Sequence, residues 1–518
     1  VTKTGAIATP HYLASEAGQK ALDAGGSAVD ATIAAAAVLA VVYPHMTGLG
    51  GDSWSILRTA EGETLAVNGT GMHPRGVDVS EMQSHNGEAM PLFGAPSSPV
   101  PGAVKAWSAI HDVAGKLDWS FLMEDAISLA ENGVQVAPAL ARDLKQLWPE
   151  ISRDPGISDT FSSTQSGPKQ AGEALIQRAL ASSLTSIATE GPNAFYSGNL
   201  APGIVNGMRA LGSAVTEEDF ALQESETLSA LSVDYRGHQI STAPPNSQGF
   251  TLVQMLNVLE RSGFDLDDPI SFGKVVSLFS LGNAERDNYL ADPRFAQIAL
   301  DRLLSNDYAD DLLRRSRDGH SENTQSQPRA SGDTIGIAAI DSTGLAVSSL
   351  HSIFYAFGAR VMDPGTGIIL QNRSSSFSLN PEHPAFLRPG SRPPSTLLPV
   401  LVDHPDGRLS AVATMGGRSQ AQVQAQLINR LTKNQSPEDV VAQNRFVVGA
   451  FGPLLEDAVV TETKLGDDER AEAKRRGFLV IESEGFDDRC GHAQIVQRGP
   501  NGFALGTDPR ADGQRVDQ

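Results

Sequence analysis

The run Asp333-Thr334-Ile335-Gly336-Ile337-Ala338-Ala339-Ile340-Asp341 follows a polar, Gly/Ser/Gln-rich stretch that reaches from Arg314 to Asp333. A short apolar run of this kind reads as a buried strand. A strand that starts directly behind a polar connector can be released by one cut in the chain and still keep its place in the fold. Cleavage of the Asp333–Thr334 bond would give Thr334 a free α-amine beside its own hydroxyl, a nucleophile and a general base in one residue. Taken alone, Thr334 reads as the ordinary start of a strand after a loop. The rest of the chain has to decide between the two.

The flanking pattern is that of layered α/β structure. Residues 13–24 place Leu13, Ala17, Ala21 and Ala24 on one helical face, and Gly25-Gly26 stops that helix. Ser27 opens a second, almost wholly apolar helix through Val42, closed by Tyr43-Pro44, and an Ala-rich helix apolar on most faces belongs in a core. Three glycines lie within Thr47-Gly48-Leu49-Gly50-Gly51-Asp52-Ser53, but a strand (Trp54 to Arg58) follows where a nucleotide loop would lead into a helix. From 103 to 314 the pattern is mostly helical, with a strand expected over Tyr235 to Ala243 closed by Pro244-Pro245-Asn246-Ser247. Residues 315–333 read as a flexible connector. Beyond it, Thr334–Ile340 and Leu345–Leu350 flank the turn Asp341-Ser342-Thr343-Gly344, and Arg408–Thr414 is a strand that passes through Met415-Gly416-Gly417 into a helix over Ser419–Thr432.

Composition removes whole classes of function. A net charge of −21 disfavours nucleic acid as a partner, because phosphate binding needs basic patches. A single cysteine, Cys490, forbids an internal disulfide, and the eleven histidines form no ligand cluster, so neither a metal nor a cofactor is expected. The longest apolar stretch, Ala31 to Tyr43, is too short to span a bilayer. A cytoplasmic location is the expectation, with a periplasmic or secreted one left open because the sequence does not begin with Met.

Several blocks together resemble the γ-glutamyltranspeptidase family of N-terminal-nucleophile hydrolases. Gly25-Gly26-Ser27-Ala28-Val29-Asp30-Ala31 is similar to the family's GGNAVDA block, and Pro44-His45-Met46-Thr47-Gly48-Leu49-Gly50-Gly51 to its PHSSGIGGG block. Pro101-Gly102-Ala103-Val104, Ala194-Phe195-Tyr196-Ser197-Gly198 and Pro244-Pro245-Asn246-Ser247-Gln248-Gly249 follow in the family's order, so the resemblance covers nearly the whole chain. It implies a four-layer αββα sandwich of the α/β class. It also implies self-cleavage between Asp333 and Thr334 into a large subunit, 1–333, and a small one, 334–518, both building one αββα unit, with a dimer of these heterodimers open. Thr334 falls at the family's nucleophile. Gly416 and Gly417, between a strand and a helix, fall at its oxyanion position, where backbone N–H groups can meet developing negative charge.

The substrate end departs from the family. Thr70, in Asn68-Gly69-Thr70-Gly71, stands where the family keeps an arginine for the substrate's α-carboxylate. Ser376 replaces the aspartate that binds the α-amine, and Phe354 takes the place of an asparagine. Arg373 appears where an amide is expected, either as a new cation for a substrate carboxylate or as a surface residue or the partner of a nearby carboxylate. The paired serines become Ser395-Thr396. With Ser352-Ile353-Phe354 and Leu370-Gln371-Asn372-Arg373, this set resembles the branch that includes oxamate amidohydrolase. Arg373, Ser395, Thr396, Ser352 and Thr70 are therefore the candidate substrate contacts, and a small carboxylate-bearing amide without an α-amine is the expected substrate. The alternatives are a γ-glutamyl hydrolase or transpeptidase, a β-lactam side-chain (glutaryl) acylase, and an uncleaved binding protein. No G-x-S-x-G elbow supports a Ser-His-Asp hydrolase.

Overall fold

Ser27 caps the apolar helix Ala28–Val42 in a reciprocal capping box with Asp30, and every residue of that helix is buried. Asp30 also accepts the backbone N–H groups of Lys116 and Leu117, so the buried carboxylate is fully engaged. A helix apolar all round needs cover on every side, and it has it: it packs between the helix Tyr12–Asp23, the helix Trp119–Asn132 and a β-sheet. In this computed structural model, which describes residues 4–319, 333–449 and 457–513, that sheet is the first of two six-stranded layers.

The strands of the two layers are, in chain order, Gly5–Ala8 (β1), Asp52–Arg58 (β2), Thr64–Gly69 (β3), Glu226–Ser229 (β4), Leu231–Tyr235 (β5), His238–Thr242 (β6), Asp333–Asp341 (β7), Ala346–Phe354 (β8), Val400–Asp403 (β9), Leu409–Thr414 (β10), Ala493–Gly499 (β11) and Gly502–Thr507 (β12). The first sheet runs β1-β7-β8-β2-β3-β4 and the second β12-β11-β10-β9-β6-β5, with antiparallel neighbours throughout. Helices Ala28–Val42 and Ala103–Ala114 cover the outer face of the first sheet. Helices Gly249–Ser262 and Gln420–Leu431 cover the outer face of the second. This is the four-layer αββα sandwich.

Alternation along β7 divides its side chains. Ile335, Ile337 and Ala339 join the core under the helices, whereas Ala338 and Ile340 pack between the sheets with Leu401, Ala411 and Val496. Thr334 and Gly336 share this inner face by the same period of two. At Gly336 the sheets come so close that an added Cβ would lie 2.9 Å from Ala413 carbon atoms. This contact joins the start of β7, and with it Thr334, to the end of β10, where the Gly416-Gly417 turn begins.

Two expectations need correction. The single strand expected over 235–243 is the second arm of a hairpin: β5 ends at Tyr235, Arg236 and Gly237 turn with φ of 52° and 76°, and β6 follows. Positive φ at both central residues is the hairpin geometry that suits twisted strands. The connector expected over 315–333 is also shorter. The helix Asn306–Asp318 continues through 315–318, burying Leu312, Leu313 and Ser316 on one face, and Gly319 ends it at φ 66°. Its arginine-rich outer face gives this last turn the composition of a linker. Asp333 already belongs to β7, and the remainder of the expected connector, 320–332, lies outside the described residues.

The contact between β8 and the helix Ala103–Ala114 also sets a pH dependence. His351 on β8 is fully buried, and its pKa is pushed down to about 3 by burial. Its Nδ1 accepts the indole N–H of Trp107 at 3.3 Å, so the ring proton sits on Nε2 and is donated to Ser349 Oγ at 2.8 Å. The unfolded chain takes up a proton here below about pH 6.5 while the folded one does not, so stability falls with pH from there toward 3, by about 1.4 kcal/mol per pH unit. His351→Gln keeps one acceptor and one donor but cannot titrate. Chemical denaturation should find that this variant loses about 2–3 kcal/mol less than the wild type between pH 6.5 and 4.5. Parallel losses would show that His351 does not contribute to the acid sensitivity.

Candidate active site

Four strands deliver side chains to one end of the space between the sheets. Ser352 on β8 lies opposite Asp52 on β2, Thr334 opens the neighbouring β7, and Thr70 follows the end of β3. The glycines at 50 and 51 allow this convergence. A Cβ on Gly51 would stand 2.3 Å from the Ser352 carbonyl oxygen, and one on Gly50 would stand 2.1 Å from that of Ile369. Their role is close backbone approach, not a phosphate cradle.

The bond expected to break is held directly. Ser352 Oγ donates to the Asp333 carbonyl oxygen at 2.6 Å and accepts the Phe354 N–H at 2.8 Å, while the Thr334 hydroxyl lies 3.5 Å from Ser352 Oγ. Thr334 is 2% exposed, so its hydroxyl sits in a water-poor setting beside a carbonyl already polarised by a hydrogen bond. Phe354 adopts φ 80°, where β8 leaves its regular register with β7.

Arg373 is not an unpaired cation. It is fully buried, and Nε and Nη2 grip both oxygens of Asp52, the Nη2 contact measuring 2.9 Å. Burial lifts the Asp52 carboxyl's pKa and the guanidinium opposes that lift. Only Nη1 is directed elsewhere, toward Thr396 Oγ1 at 3.3 Å, and the Phe354 ring lies 4.7 Å beneath the guanidinium carbon. Of the readings open for Arg373, the structure shows a partner for a nearby carboxylate, which leaves one N–H edge of the pair for a substrate. That carboxylate is Asp52, a buried acid whose partner lies 321 positions along the chain.

The other candidates fall around this pair. Ser376 Oγ turns inward and donates to the backbone oxygens of Arg373 and Pro394. Ser395 Oγ accepts the Leu397 N–H at 3.3 Å. Thr70 is buried, and among the described residues its hydroxyl has no hydrogen-bond partner. The nearby Gln371 is buried with neither end of its amide partnered.

At the Met415-Gly416-Gly417 turn, Gly416 has φ 150° and Gly417 φ 49°, and Met415 is tied to the His492 carbonyl at 2.8 Å. The carbonyls of the turn are occupied. Gly416 accepts from Ser419 N–H, Gly417 from Gln420 N–H and Gln248 Nε2, and Arg418 from Arg286 Nη1. The N–H groups of Gly416 and Gly417 have no acceptor among the described residues. Fixed carbonyls with free amides are what stabilisation of an oxyanion requires.

Sequence reasoning missed Asp52 and Gln248. Gln248 stood inside a recognised block and Asp52 directly behind one, and nothing in the linear pattern indicated their distant partners. Among the described residues no group of three His, Cys, Asp or Glu is placed to hold a metal ion, and no helix is long and apolar enough to cross a membrane.

Comparison with known proteins gives the family. The Gamma-glutamyltranspeptidase family model matches residues 14–517. The glutathione hydrolase-like YwrD proenzyme of Bacillus subtilis is 37% identical over 98% of both chains. The oxamate amidohydrolase proenzyme of Klebsiella pneumoniae is 32% identical over 99% of this chain and 98% of that one. The crystal structure of cephalosporin acylase from Bacillus halodurans superposes with a TM-score of 0.87 at 30% identity, covering 99% and 95% of the two chains. The chain belongs to the γ-glutamyltranspeptidase family of N-terminal-nucleophile hydrolases, enzymes that act on C–N bonds.

Proposed function

We propose that the chain is a self-processing amidohydrolase that cleaves a small, carboxylate-bearing amide lacking an α-amine, with Thr334 as nucleophile. Before processing, the Thr334 nitrogen lies in the peptide bond and cannot serve as a base. Ser352 then supports the first cut by holding the Asp333 carbonyl. Thr334 Oγ bonds to that carbonyl carbon, the C–N bond breaks, and the proton of the hydroxyl ends on the nitrogen. Water hydrolyses the resulting ester, leaving Asp333 as the end of one subunit and Thr334 as the start of the other. The freed α-amine has a reference pKa of about 8, so a useful fraction is neutral near pH 7 and accepts the hydroxyl proton in each turnover. The substrate's acyl group forms an ester with Thr334 as its amine leaves, the oxyanion facing Gly416 and Gly417. Water then releases the acid.

The observation that carries the substrate class is the commitment of Asp52. Both oxygens of Asp52 are held by Arg373, and Ser376 is turned to the backbone, so neither offers a free carboxylate to an α-ammonium group. A buried ammonium without a counter-charge loses roughly 2–5 kcal/mol of binding. The Arg373 Nη1 edge, with the Thr396 hydroxyl, is the donor pair for a carboxylate, and Ser395 and Thr70 are further candidate contacts. Resemblance to the oxamate amidohydrolase supports the same reading, and the cephalosporin acylase likeness favours a glutaryl amide as second choice.

Steady-state kinetics of the processed enzyme on oxamate, glutaryl-p-nitroanilide and γ-glutamyl-p-nitroanilide test the assignment. The expected result is a kcat/KM for the γ-glutamyl compound at least tenfold below the better of the other two, a gap of about 1.4 kcal/mol. A γ-glutamyl value tenfold above both would contradict it.

A further inference from the structure

The turn Pro244-Pro245-Asn246-Ser247-Gln248-Gly249 does more than join β6 to a helix. It is laced to the segment that carries Ser395 and Thr396. Asn246 Nδ2 donates to the Pro393 carbonyl at 2.7 Å, Ser395 N–H donates to the Asn246 carbonyl at 2.8 Å, Gln248 N–H donates to the Ser395 carbonyl at 3.0 Å, and Ser247 Oγ donates to the Leu397 carbonyl at 2.6 Å. The Gln248 side chain extends this lacing across the site. Its Nε2 donates to the Thr396 carbonyl at 2.7 Å and to the Gly417 carbonyl at 3.0 Å, and its Oε1, wholly buried, has no donor among the described residues. Two carbonyl acceptors on one end of the amide fix which end is nitrogen.

We infer that Gln248 is a positioning residue that sets the Gly416-Gly417 turn and the Ser395-Thr396 segment in register, so that the acyl group and the oxyanion donors meet in one geometry. This rests on Gly416 and Gly417 being the oxyanion donors. Gln248 touches neither the nucleophile nor the scissile bond, so it acts through the peptide planes it holds. The Gly417 carbonyl keeps the Gln420 N–H without it, and Gln420 Oε1 accepts the Leu398 N–H at 2.9 Å, but among the described residues the hydrogen bonds that join the turn to Thr396 itself come from Gln248. Displacement of a donor by a fraction of an ångström is felt mainly in the transition state, where the oxyanion forms.

Three variants test this: Gln248→Met, Gln248→Glu and, for comparison, Gly417→Val. Gln248→Met keeps the length of the side chain but has no donor; kcat should fall about 10–100-fold with KM changed less than threefold, while self-cleavage proceeds. Gln248→Glu can donate only when its carboxyl is protonated, and an ionised carboxylate would face two carbonyl oxygens. Its kcat relative to wild type should therefore rise as the pH falls from 8.5 to 5, a change that a purely structural role would not produce. Retention of kcat within threefold by Gln248→Met, or a flat ratio for Gln248→Glu, would overturn the inference. If Gly417→Val loses kcat while the Gln248 variants keep it, the failure lies with Gln248 alone; if Gly417→Val also keeps it, the oxyanion assignment fails and takes the inference with it.

Discussion

Thr334→Ala should leave a single uncut chain with turnover reduced by on the order of 10⁴–10⁶, as expected when a covalent nucleophile is removed from a group of residues that act as a unit. The hydroxyl that attacks the Asp333 carbonyl is gone. The Ser352 hydrogen bond to that carbonyl remains, but polarising a carbonyl does not break it. Thr334→Ser retains a hydroxyl at the same place and should still cut itself, more slowly, because the serine lacks the methyl group that restricts χ1. A denaturing gel separates the three cases: two bands for wild type, one for alanine, and slow conversion for serine. Cleavage of Thr334→Ala at the wild-type rate would remove Thr334 from the chemistry altogether.

Gly417→Val should cost about 10²–10³ in kcat, the usual loss for one oxyanion donor. Gly417 sits at φ 49°, a conformation in which a β-branched residue is strained. The turn must therefore shift, and its free N–H groups shift with it. Self-cleavage should survive, because the Asp333 carbonyl is held by Ser352 on β8 rather than by this turn. The split between intact processing and lost turnover is the signature. A folded, processed variant with kcat within threefold of wild type would reduce Gly416-Gly417 to a simple connection between strand and helix.

Elements with a strong local pattern were legible in the sequence. The helix after Ser27, the hairpin centred on Asp341–Gly344 and the strand-turn-helix through Met415 all lie where hydrophobic period and turn residues place them. The hairpin of β5 and β6 was half missed, because Arg236 is not a residue whose composition announces a left-handed turn. The polar end of the last turn before Gly319 concealed a buried face made of only a few residues.

The site was legible in its chemistry but not in its pairings. The family resemblance made Thr334, Ser352, Gly416 and Gly417 candidates, and the structure brings Thr334 beside Ser352. A carboxylate partner for Arg373 was an open alternative, but Asp52 could not be named as that partner, since it lies 321 positions away along the chain. The pairing has an energetic consequence as well. Loss of Arg373 would leave the Asp52 carboxylate buried and unpaired, which costs about 3–5 kcal/mol, so a variant there tests the fold before it tests binding. Gln248 was hidden for the same reason, its carbonyl partners being 148 and 169 positions away.

The central claim is that Thr334 becomes the first residue of a separate subunit, and the mass of the purified wild-type protein under denaturing conditions tests it most directly. The expected spectrum has two species, one ending at Asp333 and the other matching residues 334–518, with N-terminal sequencing of the smaller reading Thr-Ile-Gly-Ile-Ala. A single species at the mass of the full chain, or a small subunit that begins at any other residue, would contradict it.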